Sequence, residues 1–186
     1  MSRSTFSFLI RRCLDLSMSP TPVCLTVSLP DQVLSVFLDG ALERTLPVST
    51  SVAPPSCAHG SGGTPWGLHE IADKFGDGEP RGTVFRGRVS TGKRFWELPP
   101  EDQEGNLITT RILWLRGVEP GLNSGVGVDS HDRYIYLHGT NHETRIGTPC
   151  SGGCVQLLNR DVEELFDLVP LGSLLLLERG LPDPGA

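Results

Sequence analysis

A histidine at position 138 stands 16 residues ahead of a cysteine at position 154, within the stretch YIYLHGTNHETRIGTPCSGGCVQL of residues 134–157. Two glycines, Gly152 and Gly153, immediately precede that cysteine. Cysteine catalysis needs a thiolate, yet a free thiol with a pKa of about 8.5 is mostly protonated at neutral pH. A nearby imidazole removes that obstacle by accepting the proton, and a backbone carbonyl can hold the ring in one tautomer. Paired glycines let the chain turn sharply and aim amide N–H groups, here those of Gly153 and Cys154, at a developing oxyanion. The residue types therefore point to a cysteine nucleophile, Cys154, with His138 as its base.

The same residues allow other readings. An isolated cysteine is often a small, buried and inert side chain. Cys150 lies four residues before Cys154 and His142 four after His138, so the four could supply a tetrahedral zinc set. The HGTNH segment contains Gly and reads as loop, and no metal or other cofactor is expected. Cys150 could also form a disulfide with Cys154 or act as a resolving thiol. Tyr134, Tyr136 and His138 share one strand face, either lining a cleft or packing beneath a loop. Arg145 could meet a carboxylate or simply be solvated.

The elements that must position these groups are mostly strands. Val23, Leu25, Val27 and Leu29 alternate with polar residues, Val33 to Leu38 reads as a second strand, and Asp39-Gly40 is a hairpin signal leading into Ala41 to Val48. A long polar loop covers 49–67. Strands are expected at 68–75, at Thr83 to Val89 and at Arg111 to Leu115, with loop between and a Gly-rich loop at 117–130. Tyr134 to Leu137 is the strand that carries His138, and 147–153 is a tight loop before Cys154. Asn159 is expected to cap an amphipathic helix in which Val162, Leu165, Phe166 and Val169 share a face, with Pro170 ending it and Leu174 to Leu177 forming a last strand. Residues 1–22 read as a leader or short helix, 23–180 as one domain and 181–186 as a tail.

Composition narrows the class. Of 186 residues, 22 are Gly and 15 are Pro, which leaves little room for the long periodic runs of a helix bundle. Patterned Leu, Val, Ile and Phe argue against disorder. The 16 basic and 22 acidic residues give a net charge of −6 with no basic stripe, so nucleic acid has no electrostatic footing as a partner. No run reaches the roughly 18 apolar residues of a membrane span. Arg11-Arg12 interrupts the apolar Phe6–Ile10 segment before the ~7–15 residues of a secretory signal core. A cytoplasmic location is the resulting expectation, a periplasmic one the alternative. Five cysteines, an odd number, fit reduced thiols. Gly60 to Gly63 lacks the Lys-Ser/Thr of a phosphate loop, and no carboxylate pair of glycosidase type adjoins the site.

Taken together, the motifs resemble the L,D-transpeptidase catalytic domain of YkuD type. His138-Gly139-Thr140 matches the family's strand-end histidine, and Ser151, Gly153, Cys154 and Val155 match its cysteine motif. Residues 25–50, ending in Pro47-Val48-Ser49-Thr50, resemble the opening hairpin, and Thr64-Pro65 with Gly67 the Thr-Pro-x-Gly element. The likeness spans roughly residues 23–178. It implies a mostly β, sandwich- or barrel-like fold with one amphipathic helix after the cysteine and loop insertions. The chain departs from the family pattern at Gly152, where the family has histidine, and at Gln156, where it has Arg or Asn. Gln156 can hydrogen-bond but cannot neutralise a carboxylate as Arg would.

The resemblance implies that Cys154 attacks the carbonyl joining the L-centre of diaminopimelate to the terminal D-Ala of a peptidoglycan stem tetrapeptide. D-Ala leaves with a proton from His138, and a thioester remains. An amine resolves it in L,D-transpeptidation, or water in L,D-carboxypeptidation; a cytoplasmic enzyme meeting recycled muropeptides favours water. Gly139 is expected to offer its carbonyl to the His138 ring, a role any residue could fill. Tyr136, Thr140, Ser151, Gly152 and Gln156 are expected to contact substrate, and carbapenem-type β-lactams to acylate the thiol. The alternative is a peptidoglycan-peptide binding module of the same fold with weakened turnover.

Overall fold

A computed structural model describes residues 2–180; the expected tail at 181–186 lies outside the described residues. The strands are β1 (Val23–Ser28), β2 (Val33–Leu38), β3 (Ala41–Pro47), β4 (Gly67–Phe75), β5 (Thr83–Arg86), β6 (Val89–Arg94), β7 (Ile108–Gly117), β8 (Tyr136–Gly139), β9 (Val155–Leu157) and β10 (Leu174–Glu178). The helices are α1 (Ser2–Asp15), the single turn α2 (Pro100–Gln103) and α3 (Asn159–Leu168). Among the described residues the strands form one sheet in the order β3-β2-β1-β10-β4-β7-β5-β6, with β8 on β7 and β9 on β8. The fold is the mostly β one expected.

The front meander follows from its turn. Asp39 and Gly40 both have positive φ, 47° and 81°, the two-residue turn whose twist matches antiparallel strands. β1 and β2 then pair without a slip from Val23↔Leu38 to Ser28↔Val33.

The sheet is covered on both faces, which explains its most apolar strand. Leu175 and Leu177 of β10 enter the main core with Leu25, Val36, Leu113 and the α3 residues Val162, Leu165 and Phe166. Leu174 and Leu176, pointing the other way, pack with Leu68 under Leu9 and Cys13 of α1. The run of four leucines is thus a strand buried on both sides rather than an alternating one. The segment expected to be a leader or short helix is a helix built into the sheet's second face. Arg12 of α1 also pairs with buried Glu119, whose other oxygen takes the Leu68 N–H at 2.6 Å.

Several strands differ from expectation. β8 runs over Tyr136–Gly139 rather than Tyr134 to Leu137, so His138 lies within the strand, and β5 ends at Arg86 rather than Val89. β6 is missing from the sequence reading because its VSTGKR segment is largely exposed and carries no apolar period. β7 begins at Ile108 rather than Arg111, since Thr109, Thr110 and Arg111 are buried through polar bonds rather than hydrophobic character. β9 has only three residues, too few for a period to show.

Candidate active site

The site is built where β9 runs parallel to β8. Their register, Leu137↔Val155 and His138↔Gln156, sets Cys154 beside Tyr136. Strand alternation sends Ile135, Leu137, Val155 and Leu157 into the main core. Tyr136, His138 and Cys154 occupy the opposite face. There Cys154 packs against a smaller cluster of Phe85, Ile112, Trp114 and Tyr136.

Of the five cysteines, all free, Cys154 alone is partly rather than fully buried, its sulfur set against protein on most sides. Its sulfur accepts the Tyr136 N–H at 3.4 Å, and its thiol donates to the Tyr134 carbonyl at 3.4 Å. Tyr134 holds a left-handed backbone, φ 57°, an uncommon conformation for an aromatic residue. Burial pushes the thiol up to about 11, against smaller lowering effects from the Tyr136 N–H and the Arg133 charge. His138 is 3% exposed, and burial lowers its pKa to about 4. Its Nδ1 lies 2.6 Å from the Gly139 carbonyl, which assigns the proton to Nδ1 and leaves the Nε2 lone pair available. At neutral pH each group is therefore uncharged, and the hydrogen bonds of the Cys154 sulfur run to Tyr136 and Tyr134 rather than to His138.

The turn before Cys154 is held by one hydroxyl. Ser151 Oγ donates to the Cys154 carbonyl at 2.6 Å and accepts the Gly153 N–H at 3.2 Å. Gly153 has φ 134°, which a side chain would strain. The segment 49–52 clamps this turn from the side. The Thr50 carbonyl accepts the N–H groups of Cys150 and Ser151, both at 2.9 Å, and Ser49 pairs in both directions with Gln156. Among the described residues, the Cys154 N–H has no partner of this kind.

The model of the L,D-transpeptidase catalytic domain family matches residues 22–177. The chain belongs to this family. It is 38% identical over 100 residues to YqjB of Bacillus subtilis (strain 168), an L,D-transpeptidase by name, a match covering 48% of this chain and 56% of that protein. It is 42% identical over 43 residues to YkuD of the same organism, 23% of this chain and 26% of that one. These matches span less than two thirds of either relative. Among solved structures, L,D-transpeptidase 3 of Mycobacterium tuberculosis with a faropenem-derived adduct superposes with TM-score 0.53 at 16% identity, covering 85% of this chain and 60% of that one. The L,D-transpeptidase of Xylanimonas cellulosilytica gives TM-score 0.52 at 18% identity, covering 91% and 69%. At such identities the likeness is one of fold.

Within this L,D-transpeptidase domain several sequence expectations are corrected. Thr140, Ser151 and Gln156, expected to touch substrate, have side chains with 0%, 3% and 1% exposure that hold the scaffold, as buried as those of His138 and Tyr136. Thr140 Oγ1 accepts the His142 N–H, Ser151 clips the cysteine turn, and Gln156 Oε1 takes the Cys150 thiol at 3.2 Å. The Gly153 N–H, expected to face an oxyanion, is already engaged by Ser151 Oγ, which leaves the Cys154 N–H as the open donor of the two. Gly152 is exposed, with open space around a built Cβ.

Gly139 is not interchangeable as expected. A Cβ there would stand 2.4 Å from Asn159 Oδ1 and 2.9 Å from the Thr109 carbonyl, too close for any side chain. Asn159 does not cap α3 with its own side chain. Its amide is the hub of a buried network instead: Thr109 and Thr110 hydroxyls donate to Oδ1, and Nδ2 donates to the Thr140 carbonyl at 2.8 Å. The Glu143 carboxylate accepts the Asn159 N–H at the start of the helix. Short polar side chains at an apparent helix start suggested a cap; the network needs β7, β8 and α3 together.

Cys150 is buried against Gln156, and His142 Nε2 lies 3.2 Å from the Glu104 carbonyl. Among the described residues, no group of three or more His, Cys, Asp or Glu could hold a metal. Arg145 is exposed and has no acidic partner among the described residues, while its carbonyl accepts the Ser49 hydroxyl.

Sequence reasoning missed Trp114, Arg88 and Arg133. Trp114 forms the floor beside Tyr136, in edge contact at 5.5 Å, and stacks on His131. Arg133 donates to the Ser56 and Gly63 carbonyls and lowers the Cys154 pKa by its charge. Arg88 sits at the tip of the β5–β6 hairpin. The two-residue turn Gly87-Arg88 between two short polar-flanked runs was the available signal for that hairpin, hidden by the single strand read through it.

Proposed function

We propose that this domain is a cysteine acyltransferase acting on peptidoglycan stem tetrapeptides, with Cys154 as nucleophile and His138 as base. The observation that carries the reading is the Cys154–Tyr136–His138 face: a partly buried thiol beside a strand that presents, two residues on, an imidazole with Nδ1 locked by the Gly139 carbonyl. Family membership supports the substrate class, and a solved relative carries a faropenem-derived adduct, which supports acylation by β-lactams here.

The neutral pair sets the order of events. Cys154 gives its proton to His138 Nε2 as the sulfur attacks the carbonyl between the L-centre of diaminopimelate and D-Ala. The Cys154 N–H faces the developing oxyanion. A buried imidazolium is poorly solvated, so it surrenders the proton readily to the departing D-Ala amine. The thioester is then resolved by an amine or by water. We take water as the acceptor, giving L,D-carboxypeptidation of the kind murein recycling uses, with amine transfer as the alternative outcome of the test.

The test is intact-mass analysis after exposure to a carbapenem, beside product analysis with disaccharide-tetrapeptide. An adduct lost in Cys154→Ala, with release of D-Ala and tripeptide, is expected. Cross-linked dimers without tripeptide would overturn hydrolysis. No adduct and no D-Ala would instead favour a binding module of the same fold.

A further inference from the structure

Arg88 has a place that scaffold needs alone do not explain. It occupies the second position of the Gly87-Arg88 turn, with φ 67°, where an unbranched small residue fits more easily. Its guanidinium carbon lies 4.5 Å from the Trp114 ring centroid and 5.1 Å from that of Tyr134. One nitrogen donates to the Tyr136 hydroxyl at 3.0 Å. Tyr136 thereby joins two groups: its main-chain N–H reaches the Cys154 sulfur, and its hydroxyl holds the guanidinium.

A guanidinium has five donors. Among the described residues Arg88 uses one, and no carboxylate lies within ion-pair distance of it, although Arg12, Arg44, Arg81, Arg111, Arg116 and Arg160 each have an acidic partner. Stacking on aromatic faces fixes the plane of the fork without satisfying its edge. The Tyr136 hydroxyl, accepting from Arg88, has its own proton to donate on the same side. Arg133, the other cation near Cys154, is committed to carbonyls. Gln156, at the position where a cation could have been expected, is buried and neutral.

We propose that Arg88, with the Tyr136 hydroxyl, binds a carboxylate of the stem peptide beside the Cys154 thiol. This deepens the acyltransferase reading, since it names the group that anchors the acyl donor. The two such groups that flank the scissile bond are the terminal D-Ala carboxylate and the side-chain carboxylate of diaminopimelate. Both have the planar two-oxygen shape that a guanidinium fork grips bidentately.

The test measures affinity, not turnover. Tetrapeptide binding to Cys154→Ala protein is followed by calorimetry, with and without Arg88→Met or Arg88→Lys. The ligands are the free acid, the terminal D-alaninamide and the diaminopimelate side-chain amide. Arg88→Met should weaken free-acid binding by ~10–100-fold, and Arg88→Lys should recover part of it. One of the two amides should bind unsubstituted Arg88 protein as weakly as the free acid binds Arg88→Met, and should lose little more in that variant. Which amide does so identifies the carboxylate. Unchanged affinity in Arg88→Met, penalties from variant and amide that simply multiply, or no measurable free-acid binding would overturn the proposal. A melting temperature unchanged in Arg88→Met keeps a merely structural role from imitating the result. Failure of the acyltransferase reading shows differently, as binding without D-Ala release by the intact enzyme.

Discussion

The Tyr136 N–H donates to the sulfur of Cys154 at 3.4 Å, yet the thiol remains protonated at neutral pH. One weak amide bond stabilises a thiolate less than burial destabilises it. Thiol reactivity and catalysis should therefore separate. Alkylation by iodoacetamide should be slow at pH 7 and rise with an apparent pKa near 11. Carbapenem acylation should proceed at pH 7 and require His138. His138→Ala should abolish that acylation while leaving high-pH alkylation intact. An alkylation pKa at or below that of a free thiol would contradict the neutral pair.

Two neutral imidazoles make the fold sensitive to acid. His69 is fully buried between the Gly67 carbonyl and the Ser130 hydroxyl, and burial lowers its pKa to about 4, as it does for His138. The unfolded chain protonates both near pH 6.5, while the folded chain resists until about 4. Their contribution is complete above pH 6.5 and lost as pH falls toward 4, ~3 kcal/mol for each. Urea unfolding across that window should show stability falling with acid, with a shallower slope in His69→Gln. A flat profile between pH 7 and 4 would contradict it.

Ser151 gives a way to loosen the nucleophile without touching it. Ser151→Ala removes the clip between the Gly153 N–H and the Cys154 carbonyl. The expected cost in stability is ~1–2 kcal/mol. Acylation should slow by roughly 10-fold as the turn loses its fixed geometry. Stopped-flow acylation beside thermal melting checks this, and an unchanged acylation rate would show that the clip serves folding alone.

Gly139 and Asn159 should be coupled. Gly139→Ala drives a methyl group against Asn159 Oδ1 and the Thr109 carbonyl, with an expected loss of ~1–3 kcal/mol. In Asn159→Ala the nearer of those atoms is gone, so the double variant should lose less than the sum of the singles. Denaturant titration of the four proteins supplies the cycle. Strict additivity would mean that the Thr109 carbonyl alone sets the limit.

Much of this domain is legible in its sequence wherever local chemistry decides. Asp39-Gly40 forces a turn through its own backbone preferences, and the alternation of β1 and β2 follows from it. Val162, Leu165 and Phe166 reach the core because helical spacing alone puts them on one face. His138, Cys154 and the paired glycines announce cysteine chemistry because few other arrangements combine those residue types.

What only the tertiary structure decided depends on partners far away in the chain. The protonation of Cys154 and His138 is set by burial, which no local spacing contains. The side chains of Thr140, Ser151 and Gln156 serve as supports because segment 49–52, β7 and α3 close over them. Gly139 is required by Asn159, a residue 20 positions later that folds back against it. Arg88 reaches Tyr136 across 48 residues because the exposed β6 completes a hairpin that the apolar pattern could not reveal. A strand's own residues determine which side chains share its face; the opposing elements determine what that face can do.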